Sequence, residues 1–108
     1  MTYHAPLKKY LLVITDGWPT IEPMNTFILE SDRITGPWKL VTFMEKFGQQ
    51  AYFVNFPSRF ISDDGKTMWL CYSANFSNLP GVYDTHWQPD PAGSKYALCL
   101  QEVVLSTA

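Results

Sequence analysis

The residues of this chain that could do chemistry are its carboxylates, two histidines, two cysteines and a scatter of serines. Paired Asp or Glu could act as general acid and base. Asp63 and Asp64 belong to a Gly-containing turn, Asp16, Asp84 and Asp90 fall in loops, and Glu30 and Glu102 sit near strand ends. A solvated or turn-forming role therefore accounts for each of them better than catalysis does. Ser58, Ser62, Ser73 and Ser94 lack a Gly-x-Ser-x-Gly setting, and neither Cys71 nor Cys99 has a base beside it. His4 and His86 are far apart, with no Cys or His at ligand spacing, so no metal and no cofactor are expected. Phosphate loops and dinucleotide fingerprints are absent. No catalytic residue can be assigned, which lowers the expectation of an enzyme.

The elements that must position any site are strands. Tyr10 to Thr15, Thr26 to Ser31, Trp38 to Phe43, Ser58 to Ser62, Met68 to Ser73 and Lys95 to Leu105 are short runs rich in β-branched, aromatic and Leu residues, bounded by Gly, Pro, Asn or Asp. Thr2 to His4 is a clipped further strand, and Thr42 to Gln50 forms at most a turn or two of helix. Several runs are apolar at consecutive positions, a pattern that suits sheets covered on both faces. Asp63-Asp64-Gly65-Lys66 is a tight hairpin in which Gly65 supplies the positive φ, and Lys8-Lys9 does the corresponding job earlier. Ser77 to Ser94, with three prolines and two glycines, is a long loop of the kind that often carries function.

These strands repeat. Lys9-Tyr-Leu-Leu-Val-Ile-Thr-Asp-Gly-Trp18 aligns without a gap on Thr67-Met-Trp-Leu-Cys-Tyr-Ser-Ala-Asn-Phe76, an offset of 58 residues. The chain reads as one all-β domain, 1–108, made of two blade-like repeats at about 1–50 and 51–108. Its 108 residues are enough for one core, and 46% of them are hydrophobic.

Eight Lys and Arg against ten Asp and Glu, with the basic residues scattered, argue against nucleic acid. The longest apolar run, Tyr10 to Ile14, is too short to span a bilayer, and the start Met1-Thr-Tyr-His-Ala-Pro lacks the features of a signal peptide. No membrane partner and a cytoplasmic location are expected for the chain as written; a full-length parent could be secreted. Cys71 and Cys99 read as buried thiols, with a cross-strand disulfide as the alternative.

Ser31-Asp32 followed by Gly36-Pro37-Trp38 after a strand resembles a recurring blade signature of the five-bladed β-propeller glycosidases of the arabinanase and β-xylosidase type. Phe56-Pro57-Ser58-Arg59-Phe60-Ile61, then a hairpin, then Met68-Trp-Leu-Cys-Tyr-Ser73, is similar to the inner two strands of a later blade. The resemblance implies two consecutive antiparallel blade-like sheets of about six or seven short strands, the C-terminal part of an incomplete propeller. It also implies that the catalytic carboxylates, which flank a scissile glycosidic bond, belong to earlier blades. Residues entering the innermost strand then face the ring axis where sugar binds: Tyr52, Asn55, Ser58 and Arg59, with Trp18 and Asn75 on loops after the second strand of each copy. His86 and Trp87 add an aromatic contact from the long loop. Such aromatics stack on sugar rings while amides and Arg bond hydroxyls, although packing is the plainer role for each.

Two blades cannot close a ring and leave apolar faces and strand edges open. The expectation is a non-catalytic protein that self-associates, most simply as a two-fold dimer. The alternatives are a carbohydrate-binding or vestigial glycosidase module, and a C-terminal piece of a longer glycosidase-like protein.

Overall fold

The computed structural model describes residues 1–16, 24–48, 51–75 and 96–106. Over these the chain is all-β, with β1 (Thr2–His4), β2 (Lys9–Asp16), β3 (Asn25–Ser31), β4 (Lys39–Met44), β5 (Tyr52–Asn55), β6 (Thr67–Asn75) and β7 (Tyr96–Val104). Two antiparallel meanders result: a first sheet ordered β1-β2-β3-β4 and a second ordered β5-β6-β7. The β-branched and aromatic residues of β2, β3 and β6 suit a pleated surface, and their ladders run unbroken from Tyr10↔Ser31 to Asp16↔Asn25 and from Thr67↔Val104 to Asn75↔Tyr96. The expected Ser77–Ser94 loop lies outside the described residues.

One expected strand is replaced. Ser58 to Ser62 is not a strand; Ser58–Phe60 form a single 3-10 turn, and the strand on that side of β6 is Tyr52–Asn55. Pro57, at φ −61°, cannot donate to a ladder, and its carbonyl instead accepts from the Phe60 N–H at 3.0 Å. The Ile61 N–H reaches the Ser58 carbonyl at 3.3 Å, so the backbone is satisfied locally. The Thr42–Gln50 segment holds no helix among its described residues: β4 continues to Met44, Lys46 turns the chain at φ +50°, and the Phe47 N–H donates to the Met24 carbonyl at 3.0 Å.

The turn into β6 keeps the expected positive φ at Gly65, although no strand directly precedes it and so it is not the expected hairpin. Gly65 has φ +73°, and its N–H donates to the Ser62 carbonyl at 2.8 Å. Beside it, His4 is fully buried and joins the two sheets. Its Nδ1 accepts from the Leu7 N–H at 3.1 Å, which leaves Nε2 as the protonated nitrogen donating to the Gly65 carbonyl at 2.9 Å. The Thr2 hydroxyl donates to the Phe56 carbonyl, a second link between β1 and the second sheet.

The core lies between the sheets. Leu11 and Ile28 of the first sheet pack with Val54, Phe56, Met68 and Leu70 of the second, flanked by Val13, Met44, Tyr72 and Val103. Burying such side chains contributes roughly 1.5–3 kcal/mol each. Consecutive apolar residues in β2 and β6 led to the expectation of cover on both faces. Among the described residues the inner faces are packed, whereas the outer faces carry exposed Ile14, Leu40, Phe43, Trp69, Leu98 and Leu100.

The cysteines are free and half-buried. Cys71 lies opposite Leu100, and Cys99 opposite Tyr72, so the two thiols point to opposite faces of one sheet. A cross-strand disulfide does not fit that register. No helix among the described residues is long and apolar enough to cross a membrane.

Candidate functional site

The residues expected to bind a ligand are divided among different places. Tyr52 and Asn55 line an open groove of about 580 Å³ together with Val13, Thr15, Met24, Phe53 and Val54. The groove owes its shape to an irregularity in β5: register shifts between Tyr52 and Asn55, and Phe53 takes φ +52°. A left-handed conformation is unfavourable for an aromatic residue, and here it turns the Phe53 ring outward, leaving it 77% exposed. The Asn55 side-chain amide donates to the Phe53 carbonyl at 2.8 Å and holds the kink, while the Tyr52 and Phe53 rings lie 4.9 Å apart. The groove thus offers aromatic surface, a hydroxyl and an amide, chemistry suited to a small polar ring.

Ser58 and Arg59 are elsewhere. Both are exposed on the 3-10 turn, and Ser58 lines a separate hollow of about 280 Å³ with Tyr3, Ala5, Pro6, Ile61, Ser62 and Asp63. Trp18, His86 and Trp87 lie outside the described residues; Asn75 closes β6. Sequence reasoning missed Val13, Thr15, Met24, Phe53 and Val54 as groove residues. Nothing in the Ala51-Tyr-Phe-Val-Asn55 string signals a positive φ at a phenylalanine.

The carboxylates have structural work. Asp64 accepts from the Lys66 backbone N–H at 3.0 Å and from the Ser62 hydroxyl at 2.7 Å, and these bonds hold it below the usual carboxylate range. It is an acceptor that orders the turn, a poor proton donor. Asp32 meets Lys9 Nζ at 2.7 Å, with Glu30 at 3.9 Å from the same nitrogen. That pairing holds Asp32 low and Lys9 high, so each stays charged. Asp32 is exposed and Lys9 half-buried at the surface, and such surface pairs contribute little to stability.

The Ser31-Asp32…Gly36-Pro37-Trp38 signature builds the β3–β4 turn. Ser31 Oγ accepts from the Arg33 N–H at 3.1 Å, and the Gly36 N–H donates to the Arg33 carbonyl at 2.9 Å. The Gly36-Pro37 bond is cis. Gly36 has φ +88°, and a Cβ there would come 2.9 Å from the Trp38 ring. Ser31 and Gly36 are thus explained by backbone geometry alone. Among the described residues, no group of three or more His, Cys, Asp or Glu could hold a metal ion.

The outer sheet faces carry exposed apolar side chains. On the second sheet Trp69 and Leu100 enclose a hollow of about 200 Å³ with Phe60, and Leu98 continues the surface. On the first sheet the Phe27 and Phe43 rings lie tilted 4.9 Å apart across β3 and β4, and Tyr3 and Tyr10 likewise at 4.9 Å across β1 and β2. Comparison with protein-family models, curated proteins and solved structures yields no match.

Proposed function

We propose that the chain is a non-catalytic interaction module, a pair of propeller-blade-like sheets that associates with itself through apolar sheet faces. The observation that carries this reading is the pair of outer faces on opposite sides of one core, with Ile14, Leu40 and Phe43 exposed on one and Trp69, Leu98 and Leu100 on the other. Apolar surface of that kind is covered by a partner or leads to aggregation. The resemblance to sugar-acting propellers supports the pedigree, because blades there are covered on both sides; in a longer protein further blades would fill the same role. Light scattering over a dilution series tests the reading. A mass that falls from oligomer to monomer on dilution supports it, and a monomer at every concentration with a cooperative melt overturns it.

The groove beside β5 favours a second reading, a carbohydrate-binding or vestigial glycosidase module. Exposed Phe53 and the Asn55 amide supply the stacking plane and polar group that a sugar ring needs. Calorimetric titration with arabino- and xylo-oligosaccharides separates the two: no heat at millimolar sugar removes this reading.

A further inference from the structure

We infer that copies of this chain assemble head to tail, the outer face of the first sheet of one copy seated on the outer face of the second sheet of the next. This rests on the self-association reading and replaces the two-fold dimer expected from the sequence.

The argument comes from register. Val13 pairs with Ile28 and Leu12 with Leu29 in the first sheet; Cys71 pairs with Leu100 and Leu70 with Gln101 in the second. The 58-residue offset carries β2 onto β6, and the ladders then make β3 equivalent to β7, with Ile28 matching Leu100 and Phe27 matching Cys99. Equivalent residues face the same way along the stack. Leu11 and Val13 point into the core, while their equivalents Trp69 and Cys71 lie on the outer face of the second sheet. Conversely Leu12 and Ile14 lie on the outer face of the first sheet, while their equivalents Leu70 and Tyr72 point into the core. The sheets are stacked like plates and not mirrored.

It follows that the parts of the inner contact made by β2, β3 and β6 recur on the two free faces, whereas the Val54 and Phe56 part belongs to the inner contact alone. The inner contact sets Leu11, Val13 and Ile28 against Leu70 and Tyr72, with Val54 and Phe56 of the β5 segment beside them. The outer contact sets their equivalents, Trp69, Cys71 and Leu100, against Leu12, Ile14 and Phe27 of a second copy. Even the charge repeats: Glu30, opposite Leu11, borders the space between the sheets, and Glu102 holds the matching place opposite Trp69. A two-fold dimer would pair a face with itself, a contact the chain nowhere makes. A heterologous contact continues until rotation closes it into a ring or leaves an open array.

Complementation between two variants tests this. Ile14→Lys spoils the first-sheet face and Leu98→Lys the second-sheet face. Each alone is expected to be monomeric at concentrations where the wild type is assembled, an affinity loss of at least about tenfold. Mixed in equal amounts, they are expected to form a one-to-one dimer and nothing larger, because each retains the face the other has lost. Circular dichroism checks folding; Phe43→Lys and Leu100→Lys replace a variant that unfolds. If the wild type associates but one single variant remains a dimer and mixing adds no species, the head-to-tail geometry is overturned while self-association stands. A wild type that is monomeric throughout overturns both.

Discussion

Leu11 and Trp69 occupy equivalent places in two sheets of the same register, yet Leu11 is 5% exposed and Trp69 is 38% exposed. Both are apolar because the repeat calls for an apolar residue there. Only the first has a sheet laid over it. Apolarity is therefore a property of the repeating unit, whereas burial is a property of what the unit stands next to. The same contrast separates the turns leading into β2 and β6: the first turns at Lys8 with φ +54°, the second at Gly65 with φ +73° and an ordered Asp64.

The largest expected effect breaks or sustains the contrast between inner and outer surfaces. Phe56→Ala, at a residue 2% exposed between the sheets, is expected to cost about 3–5 kcal/mol of unfolding free energy. Leu98→Ala, at 75% exposure, is expected to change the stability of the dilute monomer by less than about 0.5 kcal/mol while weakening association. Urea denaturation measured below the association range checks both. Equal losses at the two positions would remove the distinction.

An intermediate effect concerns the contact that ties one turn to the other. His4→Ala strips a donor from the Gly65 carbonyl and an acceptor from the Leu7 N–H, at an expected cost of about 1–3 kcal/mol. Gly65→Ala acts from the other side: its Cβ would fall 2.6 Å from His4 Cε1 and from Pro6 Cβ, and its φ is unfavourable for alanine. Both variants are expected to melt earlier. A double variant that loses less than the sum of the singles would show the two residues acting as one contact.

The smallest effect is a dependence on pH to which the second turn contributes and the first does not. Asp64 is held below its ordinary value by the Lys66 N–H and then the Ser62 hydroxyl, so folding favours its charged form. Its contribution is present above the ordinary carboxylate pKa of about 4 and is lost as pH falls through the lower folded value. The urea midpoint of the wild type should fall over that window more than that of Asp64→Ala. The first turn, Ala5 to Lys8, has no carboxylate and adds no such slope.

Much of the fold was legible from local pattern. Strands β1, β2, β3, β4, β6 and β7 lie within a residue or two of their expected bounds because short β-branched and aromatic runs between turn residues leave few alternatives. The second sheet's first strand was misplaced because Ser58-Arg-Phe-Ile-Ser62 is as compatible with extension as Tyr52-Phe-Val-Asn55. Pairing with Cys71 and Ser73, and the missing donor at Pro57, decide between them. The candidate site was less legible. Tyr52 and Asn55 do share a groove, but Ser58 and Arg59 leave it with the 3-10 turn, and Phe53 enters it through a backbone conformation that no propensity encodes.

By itself the sequence determined the repeat, the strand composition and the glycine turns, because these rest on local sterics and on side-chain character read one residue at a time. Which face of each sheet is buried was decided only by tertiary structure, since alternation marks two faces but does not say which one meets a neighbour. The plate-like stacking of the first sheet on the second made that choice, covering Leu11 and leaving Trp69 open.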